Sequence, residues 1–514
     1  MSDEEVSRLL RSDSPLVVVE APAGCGKTFQ AANYAVEVAE SISSGRVLVL
    51  THTHAAVSVF SGRTRHLSNQ IEIRTIDSLI GEVASAYHLS LDLPQDVGAW
   101  VRQENGRFEL LANKVRGLVQ NNKFIAKKIA QAFPVIICDE HQDTSADQEG
   151  FILCVFAAGN VKLRIFGDPM QCIIAGRGAN DFIARRIHQW EQLKSQASFS
   201  VLDRPHRWIN SGNDELGEWV MDARNRLIVG DPIILPHRPL AGLQIKFSEN
   251  ANPPNAFRYR PQIEQDGRRA INMIVRSRED ALFLASSNDT LLAVRGAFPW
   301  LQVPIWEGHT RKALDALVSV LSRVESSDEE RTRAYIAFLK SCFTGFTARF
   351  ADVLLRQAIN PLPRLTGQLP PLLEEIAAEI RAGFDHRAFA QATKLLQRFV
   401  NGNVAPFDNL TILHPVELRE LTKLSEYEDL GTGLANISAQ WSRLNPKPSP
   451  KSWCTIHKSK GLEAAFVVIN ACDRKHFPND LAKRNLLYVA LSRATHQLTI
   501  FVSRNSPSPL IRFE

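Results

Sequence analysis

Five short runs of nearly unbroken apolar residues punctuate the chain: Leu16–Val19, Val47–Leu50, Val135–Cys138, Ala281–Ala285 and Phe466–Ile469. None alternates apolar with polar, so each reads as a parallel strand buried on both faces rather than a half-exposed antiparallel one. Helical patterns separate them, beginning with the alanine-rich segment after Thr28. Strand and helix in alternation predict an α/β fold with doubly wound parallel sheets. Two stretches break this rhythm. Residues 86–132 and 326–449 are mainly helical, the second through Arg331–Phe343, Leu372–Ala382 and His386–Phe399. The proline-rich segments Asn360–Arg364 and Asn445–Lys451 read as linkers.

The length of 514 residues calls for three or four compact units. Hydrophobic residues at 44% and charged residues at 22% suit a globular chain with ample core. A net charge of +5 is compatible with a nucleic-acid partner but too mild to argue for one. The seven cysteines are scattered, with no CxxC pair and no zinc-ligand spacing, as expected of buried thiols in a reducing compartment. The acidic start MSDEEVSRLLRSDS lacks a signal-peptide core, and no apolar stretch reaches membrane-spanning length. A soluble cytoplasmic protein without a membrane partner is expected.

Two of the strands end in candidate chemistry. Leu16–Val19 leads into Ala21-Pro22-Ala23-Gly24-Cys25-Gly26-Lys27-Thr28 and then a helix. In a strand–loop–helix of this kind the glycines let the backbone bend around phosphate, and successive N–H groups meet it at the helix N-terminus. Lys27 is placed to bridge the β- and γ-phosphates, and the Thr28 hydroxyl to hold Mg²⁺. The usual pattern opens with glycine; here Ala21 stands in. The strand ending at Cys138 runs into Asp139-Glu140-His141-Gln142-Asp143-Thr144. Paired acids at the end of a buried strand are costly without positive charge. Mg²⁺ beside Asp139 supplies it, with Glu140 orienting and deprotonating an attacking water.

These two segments resemble the AxAGxGKT and DExQDT motifs of UvrD/Rep-like superfamily 1 DNA helicases, and further motifs follow in family order. Thr51-His52-Thr53-His54-Ala55-Ala56 is similar to LTFTNKAA, and Arg74-Thr75-Ile76-Asp77-Ser78-Leu79 to GTFHSF. Gly167-Asp168-Pro169-Met170-Gln171 resembles VGDxxQ, and Leu202-Asp203-Arg204-Pro205-His206-Arg207 resembles LxxNYRS. Thr455-Ile456-His457-Lys458-Ser459-Lys460-Gly461-Leu462-Glu463 matches TxHxSKGLE closely, and Arg484–Ala494 resembles RRLLYVALTRA.

The resemblance implies two RecA-like P-loop NTPase domains, parallel sheets flanked by helices, with small, mainly helical accessory insertions. Residues 1–85 and 133–200 would form the first core and 86–132 a short insertion. Residues 201–325 and 450–514 would form the second core, and 326–449 the second insertion. ATP and Mg²⁺ would be the cofactors. Ala23, Gly24, Cys25, Gly26, Lys27 and Thr28 would cradle the phosphates, His206 would stack on adenine, Glu463 would contact ribose, and Thr28 with Asp139 would hold the metal. Catalysis would rest on Lys27, Asp139, Glu140, the γ-phosphate sensor Gln171, Arg207 and the arginine finger Arg493, with Tyr488–Leu491 as packing. Thr51, His52, Thr53, Thr75 and Arg177 would touch DNA, and Thr455, His457 and Lys460 would face DNA or the cleft.

Three departures from the family pattern stand out. His206 replaces a tyrosine, Gly176 sits where a base-stacking tryptophan is usual, and no glutamine precedes Gln30 to read adenine. The implied activity is ATP-driven 3′–5′ movement on single-stranded or partly duplex DNA. The trimmed insertions and missing tryptophan also suit a DNA-sensing ATPase subunit that regulates a partner nuclease, as in Gabija-type defence systems or in repair.

Overall fold

The computed structural model describes residues 3–52, 69–102, 106–174, 178–252, 259–298, 300–301, 303–306, 312–323, 325–361, 371–434 and 449–514, with single positions at 60, 64, 67 and 437. The chain divides into two compact units: Met1–Val303 with Ser449–Glu514, and Pro304–Pro448.

The first unit holds two six-stranded sheets. In the first, β1 (Leu16–Glu20), β2 (Val47–Thr51), β3 (Ile71–Thr75), β4 (Val135–Cys138), β5 (Lys162–Gly167) and β6 (Ser198–Val201) are ordered β3-β2-β4-β5-β1-β6, with every pair parallel. The apolar runs are continuous because alternate residues serve two cores. Leu16 and Val18, Leu48 and Leu50, Ile136 and Cys138 join one cluster; Val17 and Val19, Val47 and Val49, Val135 and Ile137 join the other.

The first cluster also takes in Leu111, Val115, Val119, Ile125 and Ala126 from helices Arg107–Asn121 and Lys123–Ala132. Much of the segment expected as a small insertion therefore shares a core with the sheet. The opposite face is covered by helices Asp3–Leu10 and Lys27–Ser41.

The chain continues through β7 (Ile233–Leu235), β8 (Leu243–Asn250), β9 (Pro261–Ile263) and β10 (Ala281–Ala285). It leaves for the second unit, which contains the short pair β11 (Phe343–Thr344) and β12 (Thr411–Ile412). It then returns as β13 (Lys451–Thr455), β14 (Ala464–Cys472), β15 (Ala494–Val502) and β16 (Ile511–Phe513). The second sheet is ordered β13-β10-β14-β15-β8-β9, parallel except for the edge pair β8–β9. Strand β16 pairs separately with β7.

The second unit is mainly helical and has its own core, in which Tyr335 and Phe389 stack with ring centroids 4.5 Å apart. Its helix Asp328–Cys342 begins three residues before the periodicity predicts. Ser327 and Glu330 form a capping box there that satisfies the first free N–H groups. Among the described residues no helix is long and apolar enough to cross a membrane.

Candidate nucleotide site at the seam of two sheets

The phosphate loop begins where β1 ends. Ala21 has ordinary negative φ, so alanine in place of the pattern's first glycine costs nothing, and its N–H donates to Gly167 O at 2.8 Å. Gly24 and Gly26 are different. Their φ values of 77° and 83° are strained for side-chain-bearing residues, and a Cβ on Gly24 would lie 2.8 Å from the Arg207 Cβ. Gly26 then caps helix Lys27–Ser41 without a side-chain bond. Cys25 is buried, and burial pushes its thiol up to about 12, so it is inert packing.

Lys27 lies only 8% exposed, with Nζ 2.5 Å from Glu140 and 3.8 Å from Asp139. Burial alone would lower its pKa, but Glu140 and Asp139 more than offset this and raise it. Burial raises Asp139 to about 6, while Glu140 is held at about 2, where Lys27 and Lys460 overcome its own burial. The three groups share one charge balance. The Thr28 hydroxyl stands 3.5 Å from Asp139 Oδ2. A hydroxyl and a carboxylate oxygen this close are hard donors of the kind Mg²⁺ takes. The residues present fit the ion.

From Glu140 a line of polar contacts crosses to the second sheet. The Gln142 amide donates to Glu140 and accepts from Asp168 N at 3.0 Å. Gln171 Nε2 donates to Asp168 Oδ2 at 2.9 Å, and Arg493 donates to Gln171 Oε1 at 3.3 Å. Arg493 is 2% exposed and its other acceptors are the carbonyls of Val489 and Leu462 and the Ser492 hydroxyl. Burial first, then the neighbouring Arg207, lowers Arg493 to about 10. Arg207 pairs with Glu463 at 2.8 Å and donates to Ser492 O. Lys27, Asp139, Glu140, Gln171, Arg207 and Arg493 thus share one contact network, which Glu463 joins. His206 lies against Gly26.

The residues expected at DNA are distributed differently. Thr53 and Arg177 lie outside the described residues. Thr51 and Thr75 pair in register at the ends of β2 and β3. The Thr75 hydroxyl caps helix Ile76–Ala86 by accepting from Ser78 N, so its first task is structural. His52 meets the Thr144 hydroxyl at 2.8 Å and is half-buried. Thr455 ends β13 and is buried; His457 follows in a short helical turn, its pKa lowered chiefly by burial. Lys460, expected toward DNA or the cleft, has its ammonium held in the seam by both Asp143 oxygens, at 2.5 and 2.6 Å, and by Gln171 O at 2.7 Å.

Sequence reasoning missed several members of the site. Arg224, from helix Asp214–Val229, donates at 2.8 Å to both Glu20 and Asp168, at the ends of β1 and β5. Tyr488, read from its spacing as packing, also accepts Ala23 N–H at 2.8 Å and so fixes the phosphate loop. Asn485 donates to Pro169 O and Cys172 O, bracketing Gln171. Removing Arg224 leaves the buried Asp168 without its ion-pair partner and half-buried Glu20 with only Lys194, 3.9 Å away. Arg224→Ala is expected to cost about 3–5 kcal/mol, read as a lower denaturant midpoint; an unchanged midpoint would show that the triad is not structural.

Two family models match segments that carry this site. Residues 7–177 match the AAA domain family, and residues 453–501 match the UvrD-like helicase C-terminal domain. No curated protein matches. Among solved structures, the Pif1 helicase from Candida albicans aligns over 98% of this chain and 94% of its own, at 12% identity and a TM-score of 0.38. The amino-terminal match carries the phosphate loop and the carboxylates, the carboxy-terminal match carries Lys460, Glu463, Tyr488 and Arg493, and one network joins them. The chain thus carries an AAA-domain segment near its start and a UvrD-like helicase C-terminal segment near its end, which together span less than half of it.

Proposed function

We propose that this helicase-family ATPase hydrolyses ATP at the seam and uses the cycle to move along single-stranded DNA in the 3′–5′ direction. The observation that carries the reading is the contact line Lys27–Glu140–Gln142–Asp168–Gln171–Arg493, which links the phosphate loop of one sheet to an arginine of the other. Lys27 steadies the phosphates, and Glu140 accepts a proton from the attacking water. Thr28 and Asp139 would hold Mg²⁺, which would supply charge neutralisation to the polyphosphate. Arg207 exchanges Glu463 for phosphate, and Arg493 meets the charge that builds on the transferred group. Coupling to DNA runs through the same loop, since Thr144 touches His52 and Asp143 holds Lys460.

The test is ATP turnover with and without single-stranded DNA. Stimulation is expected at roughly 5–150-fold, the usual span of coupling between two sites; a flat rate sinks the coupling. Strand displacement on 3′- and 5′-tailed duplexes then reads direction. A second reading, a DNA-sensing ATPase partner of a nuclease, is favoured by Gly176 at the position of the stacking tryptophan. Its signature is stimulated hydrolysis without strand displacement by the chain alone.

A further inference from the structure

We propose that Asn485 is a positioning residue for hydrolysis, holding the turn that carries Gln171 in line with Arg493; this deepens the ATPase reading and rests on it. The helix Leu481–Leu491 is buried from Asn485 to its end. In that apolar run two side chains carry polar tips, Asn485 and Tyr488, three positions apart and so on one face. Both tips cross the seam to loops of the first sheet. Tyr488 takes the phosphate loop through Ala23 N, and Asn485 takes the turn after β5.

That turn is one short helical turn, Pro169–Gln171. Met170 N donates to Asp168 Oδ1 at 3.2 Å, Gln171 N to Asp168 O at 2.8 Å and Cys172 N to Pro169 O at 3.1 Å. The carbonyls on either side of Gln171, those of Pro169 and Cys172, accept the single Asn485 amide at 3.0 and 2.9 Å. The backbone is thus pinned from the second sheet on both sides of the residue whose side chain spans Asp168 and Arg493.

Asn485 is fully buried, and its Oδ1 has no hydrogen-bond partner among the described residues. Turning the amide over would set that oxygen against two carbonyl oxygens, so its acceptors fix the orientation. A buried unpaired oxygen is unfavourable, and a leucine of similar size would avoid it. What the amide adds is the pair of bonds to the turn. Without them Gln171 can swing away from Arg493. The loss falls on the step in which Arg493 meets developing charge rather than on nucleotide binding, because the phosphate loop keeps its own anchor in Tyr488.

The experiment compares the full wild-type chain with Asn485→Leu, Asn485→Asp and Tyr488→Phe in three measurements: kcat for ATP, calorimetric affinity for ADP with Mg²⁺, and amide hydrogen exchange of the nucleotide-free protein. Asn485→Leu is expected to lower kcat about 10–100-fold, the scale of a misplaced group, with ADP affinity nearly unchanged. Asn485→Asp keeps the shape but faces the two carbonyls with oxygen, and should lower kcat at least as far. Both should lose exchange protection at residues 170–172. Tyr488→Phe should do the reverse, weakening ADP roughly 2–10-fold for one lost hydrogen bond, freeing Ala23 N–H to exchange and leaving residues 170–172 protected. Wild-type kcat in a folded Asn485→Leu protein overturns the inference. An equal loss of kcat and ADP affinity overturns it too, since that marks a general defect rather than a displaced Gln171. If the wild type neither binds ADP nor hydrolyses ATP, the ATPase reading itself has failed, and unchanged protection at residues 170–172 would then show separately that Asn485 does not hold the turn.

Discussion

Replacing Lys27 with alanine is expected to reduce ATP hydrolysis by at least about 10³-fold, because two effects act together. The first is loss of the ammonium that meets the phosphates. The second comes from the charge balance around it. Lys27 stands 2.5 Å from Glu140 and 3.8 Å from Asp139, with Lys27 and Asp139 buried and Glu140 half-buried. Without that cation two carboxylates face one another in low dielectric, and the group most affected is Glu140, now held at about 2 chiefly by Lys27. Its pKa rises, and with it the share of enzyme whose base already carries a proton. The same change raises Asp139 further, since Lys27 is the cation that opposes its burial. A steady-state ATPase assay beside a thermal unfolding curve checks both. Turnover near the wild-type rate in a folded Lys27→Ala protein would remove the phosphate-loop assignment.

How much of this could be read from the sequence depends on how far apart the partners lie along the chain. Gly24, Gly26, Lys27 and Thr28 act within one turn, and Asp139 and Glu140 are neighbours at one strand end, so local pattern carries their chemistry. The buried strands were legible for the same reason: every residue of β2 is buried, and a continuous apolar run says so. Tyr488 shows the limit. Its side chain satisfies the helix periodicity of a packing residue, yet its hydroxyl accepts the N–H of Ala23, 465 positions away. Arg224 sits among helix residues with no motif around it, and only the fold brings it to Glu20 and Asp168. Lys460 was visible as a motif lysine facing DNA or the cleft, but its partners were not, because Asp143 and Gln171 lie on the other sheet. The segment 86–132 was legible as helix but not as core, since helix periodicity does not say which body a face will cover.

Replacing Arg493 with alanine is expected to cost roughly 10³–10⁵ in turnover, the range of a finger that meets charge on the transferred phosphoryl group. Its surroundings explain why the charge is available for that work. The guanidinium is buried, yet its hydrogen bonds go to carbonyls, a hydroxyl and the Gln171 amide rather than to a carboxylate. Arg207, by contrast, is already paired with Glu463. Burial and Arg207 press Arg493 down to about 10, so the site favours the arrival of a negative group beside it. Nucleotide affinity should fall far less than turnover, because the finger's contribution grows as charge develops. Arg493→Lys separates charge from shape. It keeps a cation but loses the fork that engages Gln171, Val489 and Leu462 together, so its rate should fall between the wild type and Arg493→Ala. Equal rates for the lysine variant and the wild type would mean the fork is dispensable. Unchanged hydrolysis in a folded alanine variant would mean that the second sheet contributes no charge to the reaction, and the link from phosphate loop to helicase motion through Gln171 would be lost with it.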